Sequence, residues 1–137
     1  KYQPTDIDAC FGLAALPDLP KVIAHRKKLG ELYKELLEDT VQVVTGGSYW
    51  LATILTHQRD ELAQYLTEKG VENNLVHLRN DIYTVFGGKR QNLPMMNFLE
   101  DKYLCLPLNP KVTVEDVKYI CKLINEFYQS SKLHSDC

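Results

Sequence analysis

The first sixteen residues, KYQPTDIDACFGLAAL, carry the helical signal that most constrains how this chain can fold. Thr5 is a favoured N-cap residue, and Asp8 follows three positions later, as in a capping box. Apolar residues then recur at the spacing of one buried helix face, at Ile7, Cys10, Phe11, Ala14 and Ala15. The stretch predicts a helix that packs through this face. Since it opens inside a motif without Met, we expect the chain to be the C-terminal part of a longer protein.

Length and composition indicate one domain with an arm. The chain has 137 residues, of which 45% are hydrophobic and 25% charged, so it can bury a core. The net charge of -2 gives no electrostatic reason to bind nucleic acid or an anionic membrane. No apolar run approaches the roughly 18 residues of a membrane span. We predict an N-terminal helical arm at 1–38, a small α+β domain at 39–130 and a flexible tail at 131–137.

Apolar patterning predicts the elements of this domain. A helical period indicates a long amphipathic helix over residues 20–38 and further helices over 58–69 and from Thr113 onwards. β-Branched and aromatic runs predict strands at 41–44, 49–55, 71–77 and 103–107. The TGGS turn at 45–48 is short, so the first two strands are expected to pair antiparallel. This order predicts a small α+β sandwich, with helices covering one face of a three- or four-stranded sheet.

An unusually polar segment follows the predicted strand at 71–77. It reads HLRNDIYTVFGG over residues 77–88 and gathers His, Arg, Asn, Asp and Tyr where loops commonly carry chemistry. Two interpretations in which these residues have only a structural role stay open. His77 can be an ordinary polar end of a strand, and Arg79 with Asp81 can form a local ion pair. The pair Gly87-Gly88 lacks the pattern of a phosphate-binding loop and predicts a plain turn.

The four cysteines show no metal-ligand spacing. Cys10 and Cys121 lie on apolar helix faces and Cys105 lies in an apolar strand, which predicts small buried thiols. Cys137 is terminal and is a candidate free thiol. This cysteine usage favours a reducing cytoplasm.

Four stretches, in one order along the chain, resemble the nucleotide-sugar aminotransferases of the DegT/DnrJ/EryC1/StrS family. They are residues 1–16, ELAQYLTEKGV at 61–71, VHLRNDIYTVF at 76–86, and residues 103–107 with 112–127. Members of this family are pyridoxal-phosphate enzymes of the aspartate-aminotransferase fold. The resemblance therefore implies the small C-terminal domain of a fold-type-I enzyme, preceded by a long linking helix.

The resemblance also implies what such a domain contributes. The lysine that forms the Schiff base lies upstream in the family, so this chain alone is expected to be inactive. Gln3 takes a position where the family often has Asn or Arg, facing the cofactor phosphate of the neighbouring subunit, with Tyr2 at the same boundary. His77, Arg79, Asn80 and Tyr83 fall beside the sugar-nucleotide pocket. The implied partners are a nucleotide-linked keto-sugar, an amino donor such as glutamate, and a second copy in a homodimer.

Two other functions stay open at this stage. A small domain of this kind can act as a non-catalytic dimerisation or binding module, using the face of Ile7, Phe11 and Ala15. A weaker alternative is a small-molecule regulatory α+β domain, although no residues specify its ligand site. The enzyme interpretation implies amino-sugar biosynthesis for surface polysaccharide in a bacterial cytoplasm.

Overall fold

A computed structural model describes residues 3–135 of the chain. The predictions made for Tyr2 and Cys137 lie outside the described residues. Within the described range, no helix is both long and apolar enough to span a membrane.

Two helices joined by a tight turn form the N-terminal arm. Helix α1 spans Asp6–Ala15, and its capping box is present: Asp8 N–H donates to Thr5 Oγ1 (3.3 Å) while Thr5 N–H donates to Asp8 Oδ2 (2.8 Å). A 3-10 turn at Leu16–Asp18 contains Pro17 and leads into α2, which spans Leu19–Leu37. Both predicted helices are confirmed.

Three antiparallel strands make the sheet in the described part of the chain. They are β1 at Gln42–Val44, β2 at Ala52–Leu55 and β3 at Tyr103–Leu106, in the order β1-β2-β3. Ile54 of the central strand pairs with Val43 on one side and Leu104 on the other. The predicted α+β class and the antiparallel first pair are confirmed.

The strand predicted at 71–77 is wrong. This stretch makes a single bridge, in which Asn74 and Cys105 exchange backbone hydrogen bonds of 3.2 and 2.8 Å. Asparagine side chains divert the rest of the segment, because Asn73 Nδ2 donates to Ala63 O (3.1 Å) and Leu75 N–H donates to Asn74 Oδ1 (2.7 Å). Such local bonds compete with a strand ladder.

Helices from both ends of the domain pack on one another and on the sheet. Helix α3 spans Arg59–Glu68, the short α4 spans Pro94–Leu99 and α5 spans Val114–Ser135. Helix α5 contacts both α2 and α3. The fully buried large side chains belong to these helices and strands and include Leu29, Tyr33, Leu37, Ile54, Leu62, Leu66, Leu104 and Ile124.

The apolar face of α1 is not buried within the described residues. Ile7 is 68% exposed and Phe11 is 74% exposed, and α1 contributes no buried residue. Cys10 is exposed for the same reason, so its prediction as a buried thiol is wrong, whereas Cys105 and Cys121 are buried as predicted. That α1 packs through this face stays a prediction, because nothing in residues 3–135 covers it.

Candidate functional site

A rigid turn before β2 presents the one tryptophan of the sequence. Tyr49 adopts a left-handed backbone conformation (φ +51°), and its hydroxyl donates to Glu31 Oε1 on α2 (2.8 Å). Gly30 makes room for this ring, because a Cβ there would lie 2.8 Å from Tyr49 Cδ1. Thr45 Oγ1 closes the turn by donating to Leu51 O (3.1 Å). Trp50 therefore follows a turn that hydrogen bonds hold at Thr45 and Tyr49.

Trp50 meets one of the predicted site residues. Its ring centroid lies 5.6 Å from that of His77, at an interplanar angle of 64°, in an edge-to-face contact. Trp50 is 55% exposed and His77 is exposed as well. Trp50 falls inside the strand predicted at 49–55, and the residue pattern alone does not mark it as a site residue. The available signal was a lone tryptophan three residues after the Gly46-Gly47 pair.

Arg79 occupies a very different environment from its neighbours. It is only 6% exposed, and its guanidinium group donates five hydrogen bonds. Nε and Nη2 form a fork with the two carboxylate oxygens of Asp81, at 2.6 Å each. Nη1 donates to Asn97 Oδ1 (2.9 Å) and Glu100 Oε2 (3.1 Å), and Nη2 donates to Gln91 O (3.1 Å). The local Arg79–Asp81 pair anticipated from the sequence is thus one part of a larger cluster.

Asp81 connects the two ends of the segment 79–91, because it bonds both Arg79 and Gln91. Its Oδ2 also accepts the backbone N–H of Gln91 at 2.6 Å, and Arg90 adds a second ion pair to Glu100. The Arg79 guanidinium, together with the Gln91 N–H, holds the pKa of the Asp81 carboxyl well below its usual range. The pKa of Glu100 is lowered as well, again chiefly by its hydrogen bond from Arg79. Both carboxyl groups are therefore ionised at neutral pH.

The residues between these contacts face outward. Asn80 and Tyr83 are exposed, and a 3-10 turn at Thr84–Phe86 ends at Gly87 in a left-handed conformation (φ +99°). Gly88 N–H donates to Tyr83 O (3.0 Å), so the predicted Gly-Gly turn is present. The structure thus brings Arg79, Asn80 and Tyr83 together in one closed loop, with His77 beside Trp50.

Gln3 is far from this loop in the sequence. It is exposed and lies three residues before the start of α1. Its side chain ends in a single amide group. No lysine among the side chains of residues 3–130 is buried, and Lys102, which is partly covered, pairs with Asp101 and stacks on Phe98. These residues alone do not form a site for pyridoxal phosphate, so no chemical step can be assigned to them.

The described residues offer no candidate metal site either, since no three His, Cys, Asp or Glu side chains among them come close enough to hold an ion.

A cavity of about 350 Å³ lies between the end of α3 and the start of α5 and is lined in part by Glu72, Lys111 and Tyr119. It is separate from the Arg79 loop, because no residue of 77–91 lines it.

Comparison with known proteins identifies the family. The profile of the DegT/DnrJ/EryC1/StrS aminotransferase family matches residues 1–125, and the chain belongs to this family. A GDP-perosamine synthase from Escherichia coli O157:H7 is 32% identical over 93% of the chain, which corresponds to 37% of that protein. A pleiotropic regulatory protein from Geobacillus stearothermophilus is 31% identical over 90% of the chain and 37% of its own length.

The fold agrees with this family. The aminotransferase TlmJ from Streptoalloteichus hindustanus superposes with a TM-score of 0.80 at 21% identity, over 91% of this chain and 36% of that one. The chain therefore has the fold of part of a fold-type-I aminotransferase. It spans a little over a third of the length of the relatives it matches.

Proposed function

We propose that this chain is the C-terminal domain of a pyridoxal-phosphate-dependent aminotransferase that acts on a nucleotide-linked keto-sugar. The observation that carries the proposal is the family match over residues 1–125, supported by the 32% identity to a GDP-perosamine synthase. The amino donor is an amino acid such as glutamate. The product is an amino sugar for surface polysaccharide, made in the cytoplasm.

The chain by itself is inactive in this proposal. Transamination needs a lysine that serves as imine partner and proton carrier, and a cofactor held against it. None of the lysine side chains among residues 3–130 is buried, and Gln3 is an isolated exposed amide. The chain instead supplies Gln3 and Tyr2 to the cofactor phosphate of a neighbouring subunit in a homodimer.

Substrate contacts come from the exposed residues around the Arg79 loop. His77, Asn80 and Tyr83 present an imidazole, an amide and a phenol on the surface, and each can hydrogen-bond to sugar hydroxyls or phosphate. Trp50 adds an aromatic face next to His77. Arg79 lies in the same loop, where its guanidinium group donates to Asp81, Asn97, Glu100 and Gln91.

The test is the native mass and visible absorbance of the protein purified from its natural source. We expect roughly three times the mass of this chain, as the 37% share implies, together with the visible absorbance of bound pyridoxal phosphate. Recombinant chain of residues 1–137 should show neither this absorbance nor glutamate-dependent transamination. A native protein of 15.7 kDa without the absorbance would refute the aminotransferase proposal.

The exposed face of α1 favours a second candidate, a non-catalytic dimerisation module. Ile7 and Phe11 are more than two-thirds exposed on one side of the helix, and such a patch is a typical contact surface. Sedimentation of the chain and of Phe11→Asp distinguishes the two. A dimer of the native-length protein that Phe11→Asp dissociates supports the module, whereas a larger parent protein carrying the cofactor rules it out.

A further inference from the structure

Arg79, which the family resemblance places beside the sugar-nucleotide pocket, is the least exposed charged residue of the polar segment 77–88. Arg79 is 6% exposed, while Asn80 and Tyr83 on the same loop are exposed. Every N–H of its guanidinium group already donates within the chain. A diphosphate approaching Arg79 would have to displace Asp81 or Glu100, and both carboxylates would repel it.

The contacts of Arg79 join two parts of the chain that are distant in sequence. Asp81 lies two residues away, whereas Asn97 and Glu100 lie 18 and 21 residues away, at α4 and its C-cap. Gln91 contributes both its carbonyl, to Arg79, and its N–H, to Asp81. The cluster therefore ties both ends of the segment 79–91 to α4.

A segment fixed in this way has a defined outer surface. Asn80 and Tyr83 lie between the two tied ends, and His77 precedes the first by two residues and rests against Trp50. The planar guanidinium group of an arginine can donate two parallel hydrogen bonds to one carboxylate, which a lysine ammonium group cannot do. The arrangement suits a residue that sets the position of others.

We propose that Arg79 is a positioning residue that fixes the segment 79–91 on α4 and holds His77, Asn80 and Tyr83 in place, and that it does not contact the substrate. The identity of that substrate rests on the function proposed above. The positioning itself is a property of the free chain, so it can be tested without any ligand or activity.

The experiment is hydrogen exchange and tryptophan fluorescence on the chain without ligand. Five variants are compared with the wild type: Arg79→Gln, Arg79→Lys, Asp81→Asn, His77→Ala as the reference for loss of the ring contact with Trp50 and, as a matched control, Arg90→Gln. Arg90 lies on the same segment and pairs with the same Glu100, but it is exposed. Because the sequence has one tryptophan, the emission reports on Trp50 alone.

We expect the amide of Gln91 to exchange at least about tenfold faster in Arg79→Gln, Arg79→Lys and Asp81→Asn than in the wild type. Trp50 emission should change in both Arg79 variants in the direction produced by His77→Ala, because the ring contact is lost. Arg90→Gln should alter neither signal. The amide of Asn74, which bonds Cys105, serves as the internal control for folding of the sheet.

Where Asn74 stays protected in Arg79→Gln, two outcomes overturn the proposal. One is unchanged Gln91 exchange and Trp50 emission in Arg79→Gln with Asn74 still protected. The other is a change in Arg79→Gln that Arg79→Lys restores, because a charge alone would then be sufficient. Loss of Asn74 protection in Arg79→Gln shifts the decision to Asp81→Asn, where unchanged Gln91 exchange also overturns it. None of these results depends on whether the parent protein is an aminotransferase.

Discussion

The ion pairs that Arg79 forms with Asp81 and Glu100 make the folding stability of the chain depend on pH in the acid range. The pKa of Asp81 and that of Glu100 are lowered from ordinary values of 3.8 and 4.5, in both cases chiefly by hydrogen bonds from Arg79. A carboxyl group whose pKa is lower in the folded than in the unfolded chain stabilises the fold fully above its unfolded pKa. That contribution is lost as the pH falls toward the folded pKa.

We therefore expect the free energy of unfolding to fall between about pH 5 and pH 2, and Asp81→Asn to make that decline shallower. Urea denaturation at a series of pH values measures both curves. Asp60→Asn is the matched control, because Asp60 is a largely exposed partner of Arg59. Equal slopes for Asp81→Asn and the wild type would contradict the expectation.

Thiol reactivity follows burial in the same residue-by-residue way. Burial raises the pKa of the Cys121 thiol to about 12 and removes it from reagents, whereas Cys10 is exposed. Under native conditions at pH 8, iodoacetamide should modify Cys10 at least about tenfold faster than Cys105 or Cys121. Peptide mapping by mass spectrometry measures the three rates, and denaturant should make them similar.

Single residues also show where sequence reasoning stops. The pairing of Arg79 with Asp81 could be anticipated, because the two are neighbours on one loop. The bonds to Asn97 and Glu100 could not, since they depend on where α4 packs. Trp50 escaped notice because its contact with His77 exists only once the turn before β2 and the segment after α3 have come together.

Two helices of the chain carry the same N-terminal cap but have different amounts of packing. Thr113 and Asp116 repeat at α5 the box that Thr5 and Asp8 form at α1. Helix α5 is central to the core, whereas α1 buries nothing in the described chain. Loss of an N-cap typically costs about 1 kcal/mol where the helix belongs to the cooperative fold.

Thr113→Ala should therefore lower the free energy of unfolding by about 1 kcal/mol, while Thr5→Ala should leave it unchanged. Chemical denaturation monitored by Trp50 fluorescence gives both values. A comparable loss in Thr5→Ala would mean that α1 folds together with the core.

Glycines provide a second matched pair at the level of elements. A Cβ at Gly30 in α2 would press on Tyr49, whose ring is held at its hydroxyl by Glu31, while a Cβ at Gly12 in α1 meets nothing within 4 Å. Gly30→Ala should lower the free energy of unfolding by about 1 kcal/mol, because the clash exceeds the gain in helix propensity. Gly12→Ala should only raise the helix content seen by circular dichroism. An increase in stability for Gly30→Ala would contradict this.

Helices were predicted more reliably than strands, for a physical reason. The apolar faces of α2, α3 and α5 repeat over several turns, so each helix carries its own signal. The segment 71–77 has only a short apolar run, and the side chains of Asn73 and Asn74 decide its path by bonds that no periodicity reports. The strand predicted at 49–55 is shorter in the structure, where Tyr49 has a left-handed conformation and β2 begins at Ala52.

For the whole molecule, the fold class and the family were within reach of the sequence, and the packing of the arm was not. Periodicity shows that α1 has an apolar face but does not show what covers it. The division of the chain at 1–38, 39–130 and 131–137 stays a prediction. Helix α5 nevertheless runs through Ser135, into the part expected to be a tail.

The uneven burial predicts two levels of stability in one chain. Amides of α1 should exchange on a time scale close to that of an unfolded peptide, because local opening of this helix exposes no core. Amides in the middle of α5, around Ile120 and Ile124, should exchange only by global unfolding. Native-state hydrogen exchange with denaturant distinguishes the two, and equal protection of α1 and α5 would refute it.

The two edge strands of the sheet determine whether another chain can add a strand to it. An unpaired strand edge is a template for further strands, which proteins limit by keeping it short or covering it. On the outer side of β3, the Asn74 bridge occupies Cys105. On the other side, β1 offers three residues and then gives way to the Gly46-Gly47 turn. The sheet therefore offers little template for fibril growth, even while the apolar face of α1 stays uncovered.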